Sequence, residues 1–133
     1  MITGRCFCGH VRYEVRGTPF HETLCHCEDC RRAAGAPIVG WFTCRPHELV
    51  WTAGAPKTWA SSNGVTRSFC GDCGTSFTYA RSDLDEVDVT IASLDKPEDV
   101  PPRDHTRHRG RIAWIDRLAE LGAYPVARED DAA

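Results

Sequence analysis

The chain has 133 residues, 41% of them hydrophobic, and a formal net charge of −3; one domain of this length buries a modest core and gains from metal staples. The slight acidic balance provides no basic field toward phosphate, so no nucleic acid is expected as partner. No apolar run reaches the ~20 residues of a membrane helix, so no membrane partner is expected either, and Met1 to Arg5 lack the apolar stretch of a secretory signal, which makes cytoplasmic the expected location.

The first element to read is a strand. Val11, Tyr13 and Val15 alternate with Arg12, Glu14 and Arg16 before Gly17, the period-two pattern of a half-buried strand. Glu28 to Ala34 follows as a short helical turn stopped by Gly35 and Pro37. Further strands are expected over residues 38–43, 48–52, 67–69, 76–79 and 87–92, separated by Gly, Pro, Asn and Asp. Residues 112–121 carry apolar side chains at helical spacing. The fold class is therefore mainly β, with short antiparallel sheets and a minor helix. Residues 1–126 form a single zinc-binding domain in this reading, and 127–133, built only of Ala, Arg, Glu and Asp, form a disordered acidic tail.

Eight cysteines are the unusual feature of the composition. In a reducing compartment they point to metal rather than to disulfides. Phe69-Cys70-Gly71-Asp72-Cys73-Gly74 has the form of a zinc knuckle, in which a tight turn brings two thiolates to one ion. Cys6 and Cys8 offer the second pair, so Cys6, Cys8, Cys70 and Cys73 are assigned to one structural Zn2+, saturated by four thiolates. Cys25, Cys27 and Cys30 supply three thiolates within six residues and leave a fourth position for water or substrate, the composition of a catalytic zinc. In a straight strand Cys25 and Cys27 would share a face, and a turn at Glu28-Asp29 would bring Cys30 to the same point. Arg31 and Arg32 follow directly, one to offset the thiolate charge and one to grip a substrate carboxylate.

Gly4-Arg5-Cys6-Phe7-Cys8-Gly9, Cys25-His26-Cys27-Glu28-Asp29-Cys30-Arg31-Arg32, Arg67-Ser68-Phe69-Cys70-Gly71-Asp72-Cys73-Gly74 and Ser93-Leu94-Asp95-Lys96-Pro97 together resemble the glutathione-dependent formaldehyde-activating enzyme family, which includes centromere protein V. The resemblance covers roughly residues 4–114. It implies a β-tent fold of coiled antiparallel sheets, a structural zinc at Cys6, Cys8, Cys70 and Cys73, and a second zinc at Cys25, Cys27 and Cys30. The activity it implies is condensation of formaldehyde with glutathione, in the reverse sense a carbon–sulfur lyase, with glutathione or another low-molecular-weight thiol as co-substrate. On that reading the catalytic set is Cys25, Cys27, Cys30, Arg31 and His26. Arg31, Arg32 and Trp41 bind the cofactor thiol, and His26 or His105 moves a proton between thiol and hydroxyl. The family often shows a His-x-Trp segment; here His105 is followed by Thr106 and Arg107, so the tryptophan wall is missing or comes from Trp114.

A competing reading is a non-catalytic zinc module that binds a protein partner, its central site closed by Cys44 or a histidine as fourth ligand. Cys44, at the end of an apolar strand, reads first as a packed thiol. His26, between two ligands, is read either as functional or as facing solvent. His10, His21, His47 and His108 have no assignment, and Arg103, Arg107, Arg109 and Arg111 read as a solvated loop. A small-molecule thiol and aldehyde are the expected partners, and a homodimer is left open.

Overall fold

The structure, a computed structural model, describes residues 1–128; of the tail expected over 127–133, residues 129–133 lie outside the described residues. Its strands are β1 (Ile2–Arg5), β2 (Arg12–Val15), β3 (Phe20–Cys25), β4 (Val39–Cys44), β5 (Leu49–Ala53), β6 (Lys57–Ser62), β7 (Val65–Phe69), β8 (Ser76–Arg81), β9 (Val87–Thr90) and β10 (Asp104–Thr106). The α-helix α1 spans Glu28–Ala34, and 3-10 segments lie between strands and after β10. The mainly β class follows as expected. Three strands form a small sheet in the order β1-β2-β5, and seven form a large one in the order β10-β3-β4-β9-β8-β7-β6. Every pairing is antiparallel except β10 on β3.

The period-two alternation of β4 divides the molecule. Phe42 and Cys44 point into the main core with Tyr13, Val15, Phe77, Val87 and Val89. Val39 and Trp41 face the other way, with Cys25 and Cys30. Register carries that second face across the large sheet, pairing Thr23 with Trp41, Thr43 with Asp88, Asp88 with Tyr79 and Tyr79 with Arg67. One face of the large sheet therefore packs on the small sheet, and the other is the floor of a cleft.

The small sheet is locked to the large one by aromatic and polar contacts. Tyr13, Trp51 and Phe77 meet edge to face, with centroids 5.2–5.8 Å apart. The Tyr13 hydroxyl meets Ser93 Oγ at 2.6 Å, and Ser93 Oγ in turn donates to the Thr90 carbonyl. Gly4 is required here, because a Cβ at this position would lie 2.3 Å from the Tyr13 ring. Thr3 Oγ1 donates to Asp95 at 2.7 Å, and Gly4 bridges to Leu94. The Ser93-Leu94-Asp95 segment thus ties the N-terminal strand to the large sheet.

Strands β1, β3, β6 and β10 have no counterpart among the expected strands, and two expected elements take another form. The strand expected over 87–92 stops at Thr90, because residues 91–93 turn in 3-10 form to present Ser93 to Tyr13. Residues 112–121 hold a 3-10 run, Ala113–Glu120, kinked at Arg117, rather than an α-helix. None of its residues is buried, so no packed face favours a longer helical ladder.

Candidate functional site

The first cysteine group joins the two sheets. Cys6 lies just after β1, Cys8 in the following turn, and Cys70 and Cys73 in the turn between β7 and β8. Their four Sγ atoms lie within 4.8 Å of one another. Cys6 and Cys8 stand 3.5 Å apart and Cys8 and Cys70 3.9 Å, close to the ~3.8 Å edge of a tetrahedron with zinc–sulfur bonds of ~2.3 Å. Backbone amides of Val11 and Asp72 donate to Cys6 and Cys70 Sγ, the support expected around metal-bound thiolates. Cys6 and Cys70 are buried, and no cysteine is in a disulfide. Four thiols with supporting donors fit a closed zinc site.

The second group sits where β3 gives way to α1. Cys25 ends the strand, Cys27 is the N-cap of α1, and Cys30 is its buried residue. Cys27 and Cys30 therefore meet through the helix turn, not through strand alternation alone. Cys27 Sγ accepts from the Cys30 amide at 3.3 Å, satisfying one of the free donors of the first turn. Gly35, at positive φ, closes α1 as a left-handed C-cap. The three Sγ atoms lie within 4.8 Å of one another, and no fourth ligand joins the group among the described residues. The Cys30 thiol points at Cys25 Sγ across 3.8 Å. That hydrogen bond holds Cys25 well below the ordinary thiol range, at about 5, while Cys30 is pushed up. One thiolate makes the next unfavourable, so three can ionise together only beside a cation. The donor set fits a three-thiolate zinc.

The thiols open on a cleft of about 650 Å3, within the range of small-ligand sites. Trp41, Thr43, Arg67, Tyr79 and Asp88 form its floor, Glu28, Asp29 and Glu86 line it, and His21, Thr106 and Arg107 complete the wall. His21 and Arg107 both have φ of 52°, the left-handed region that non-glycine residues seldom adopt. Arg67 is buried; its Nη2 lies 3.8 Å from Cys30 Sγ, its Nε donates to Ser61 Oγ, and its guanidinium stacks over the Tyr79 ring. Asp88 Oδ1 accepts from Thr43 Oγ1 at 2.7 Å. Burial holds the Asp88 carboxyl above the ordinary carboxylate range, against that hydrogen bond, which favours the anion.

Several expected residues fall elsewhere. Arg31 and Arg32 do not line the cleft. Arg31 Nη1 donates to the carbonyls of His26 and Gly110, and Arg32 is exposed, 3.7 Å from Glu28. The positive charge beside the thiols comes from Arg67 instead. His26 is fully buried rather than solvent-facing, and it too is absent from the cleft lining; its Nε2 meets His105 Nδ1 at 2.8 Å. Its neighbours Cys25 and Cys27 do line the cleft, and its amide donates to the Thr106 carbonyl. Trp41 lines the cleft as expected, and Trp114 does not. Cys44 is packed in the main core, fully buried, and its thiol is pushed up to about 12 by desolvation; it does not join the central group. Of the arginine loop, Arg103 meets Glu22 at 3.3 Å and Arg111 pairs with Asp116, while Arg107 reaches the cleft.

Tyr79, Asp88 and His21 belong to no motif of the sequence reading, and Arg67, at the head of the Arg67–Gly74 motif, had no role there. A signal was present for one of them: Asp88 alternates with Val87 and Val89, so it stands opposite an apolar face.

The fold has a solved counterpart. A crystal structure of a Rhodobacter sphaeroides protein superimposes with a TM-score of 0.61 at 29% identity, covering 78% of this chain and 99% of that one. A protein of Schizosaccharomyces pombe (strain 972 / ATCC 24843), named an uncharacterized lyase, is 30% identical over 77 residues. That match takes in 58% of this chain, and the chain spans about half the length of the curated relative, 56%. Residues 1–109 match the family model described as glutathione-dependent formaldehyde-activating enzyme, and with the paired cysteine groups in place the chain belongs to that family.

Proposed function

We propose that the chain is a zinc-dependent carbon–sulfur lyase-type enzyme acting on the adduct of a low-molecular-weight thiol, glutathione first among them, with a small aldehyde. The observation that carries this reading is three cysteines, without a fourth protein ligand among the described residues, converging on the end of a cleft of small-ligand size. The lyase name of the yeast relative supports the reaction class, and the family description supports the thiol and the aldehyde.

In the synthetic direction sulfur forms a bond to the carbonyl carbon, the carbonyl π bond opens, and the thiol proton ends on the new hydroxyl oxygen; the lyase direction reverses each change. Cys25, Cys27 and Cys30 would hold a zinc ion, which would supply Lewis acidity to lower the pKa of a substrate thiol. Arg67 places a fixed positive charge beside Cys30 and tempers the negative charge of the three thiolates. Trp41 and Tyr79 wall the thiols on the floor side, which keeps bulk water from the reacting atoms. Asp88, in the cleft and with its acidity weakened by burial, is the carboxyl suited to hold the proton between sulfur and oxygen. Arg107 is the exposed guanidinium on the cleft wall and takes over the carboxylate grip expected of Arg31 or Arg32. His26 and His105 are set aside as proton carriers, because neither lines the cleft.

The test is metal content per chain on protein purified without chelator, for wild type and Cys27→Ser, with a thiol–aldehyde adduct assay on the same samples. A folded variant that loses one zinc equivalent together with adduct turnover is the expected result. A wild type with no adduct turnover, or a Cys27→Ser protein that keeps turnover, overturns the enzyme reading; the first of these leaves a zinc-stapled binding domain.

A further inference from the structure

β10 is three residues long, fully exposed, and paired in parallel with β3 at the edge of the large sheet. A pairing so short is weak by itself, yet Thr106 and Arg107 at its end complete the cleft wall. Hydrogen bonds from Thr23 Oγ1 to the Asp104 carbonyl and Thr106 Oγ1, and from Arg31 to the Gly110 carbonyl, tie this edge to the cysteine segment. Three histidines lie at that junction.

His26, fully buried, packs against the rings of His105, tilted, and His108, edge-on, at centroid distances of 5.0 and 5.3 Å, and His105 and His108 stand 5.0 Å from each other. One ring nitrogen from each lies within 4.8 Å of the other two. The closest pair, His26 Nε2 and His105 Nδ1, is 2.8 Å apart. His26 Nδ1 is buried with no hydrogen-bond partner. The hydrogen bond between His26 and His105 uses neither the His108 ring nor the buried His26 Nδ1. Three imidazoles facing one another with no carboxylate in the group form a donor set for a divalent ion of borderline softness.

We propose that His26, His105 and His108 form a third metal site, separate from both cysteine groups, which takes a divalent transition-metal ion such as Zn2+, Ni2+ or Co2+ through imidazole nitrogens. Two of the ligands are exposed, so the ion enters from solvent and completes its coordination with water. Its effect is mechanical. It clamps β10 and the turn after it to His26, and through the backbone to Cys25 and Cys27 on either side, fixing the wall of the cleft relative to its thiols. The site does not depend on the lyase reading; a binding module with the same histidines would hold the ion equally.

The experiment is Co2+ titration of the whole chain after both cysteine groups have been filled with zinc. Bound cobalt and its visible spectrum are read for wild type, His105→Ala and His108→Ala. One further equivalent in wild type, with a spectrum free of thiolate-to-cobalt charge transfer, and its loss in both variants, is the expected result. The exposed positions of His105 and His108 make these variants safe to fold, which equal zinc content and an unchanged melting temperature without cobalt verify. A second readout is amide exchange over residues 104–111, slowed by cobalt in wild type and not in His108→Ala. No further equivalent in wild type, an equivalent retained in His108→Ala, or a cobalt spectrum with thiolate bands overturns the proposal.

Discussion

The two cysteine groups use the same ligand atom and differ in where the chain places it. Cys6, Cys8, Cys70 and Cys73 come from two turns far apart in sequence and meet between the sheets, with backbone amides turned toward the sulfurs. Cys25, Cys27 and Cys30 come from one segment, at a strand end and the first turn of a helix, and face a cleft lined by Arg67 and Asp88. The first arrangement closes a long loop, and its four thiols suffice to fill a tetrahedral ion. The second closes almost nothing, and it leaves one side of the ligand set facing a space of small-ligand size. Ligand chemistry alone does not separate the two groups; the sequence separation of the ligands and what stands opposite them do.

That contrast is most sharply tested by paired substitutions. Cys70→Ser is expected to remove a contribution on the order of 10 kcal/mol, the scale of zinc binding in small zinc domains, and to abolish the cooperative unfolding transition followed by circular dichroism. Cys27→Ser is expected to keep that transition. A Cys70→Ser protein that unfolds cooperatively near the wild-type temperature breaks the comparison.

Asp88→Asn addresses the cleft without touching a thiol. Turnover is expected to fall by about 10²- to 10⁴-fold, the range of a lost general acid–base group. The sign on stability is opposite. Burial raises the Asp88 pKa in the folded state, so folding is not penalised below the unfolded value and is penalised as pH rises through the raised one. The amide removes that penalty, and the melting temperature at neutral pH should be equal to or above wild type. A variant that loses stability at neutral pH and regains it in acid contradicts the sign, and one with full turnover removes Asp88 from the reaction.

Arg67→Met is the finest probe. Without the guanidinium beside Cys30, retention of metal by the three-thiol group should weaken by about 10- to 100-fold, as for other groups that support metal ligands. Competition against a chromophoric chelator reads this directly, and the four-thiol group should be unmoved. Equal weakening of both groups would show that Arg67 acts through the fold.

Much of this was legible in the sequence. Cysteine spacing marked both groups, and the alternation of Val11, Tyr13 and Val15 marked the strand that carries the core tyrosine. Glu28 to Ala34 was readable as a helix because Gly35 and Pro37 end it. The cleft was harder. Its floor is assembled by register between β3, β4, β7, β8 and β9, and a pairing such as Thr43 with Asp88 leaves no trace in either segment alone. Arg31 was assigned by adjacency to Cys30, but helical geometry turns it toward the carbonyls of His26 and Gly110. β6 was missed because Lys57, Thr58, Trp59 and Ala60 are all exposed on an edge strand and show no alternation. β10, with every residue exposed, has no apolar pattern to read.

The late position of β10 also orders events in time. As the chain leaves the ribosome, the four-thiol group has all its ligands once Cys73 has emerged, and both sheets except the last edge strand are present by Thr90. Thr106 and Arg107 come later, and until they pair beside Cys25 one wall of the cleft is absent. Domains gain structure from the N-terminal side during synthesis. A nascent chain can therefore bring its four-thiol group together and set its core first, and the central thiols acquire their enclosure only at the end.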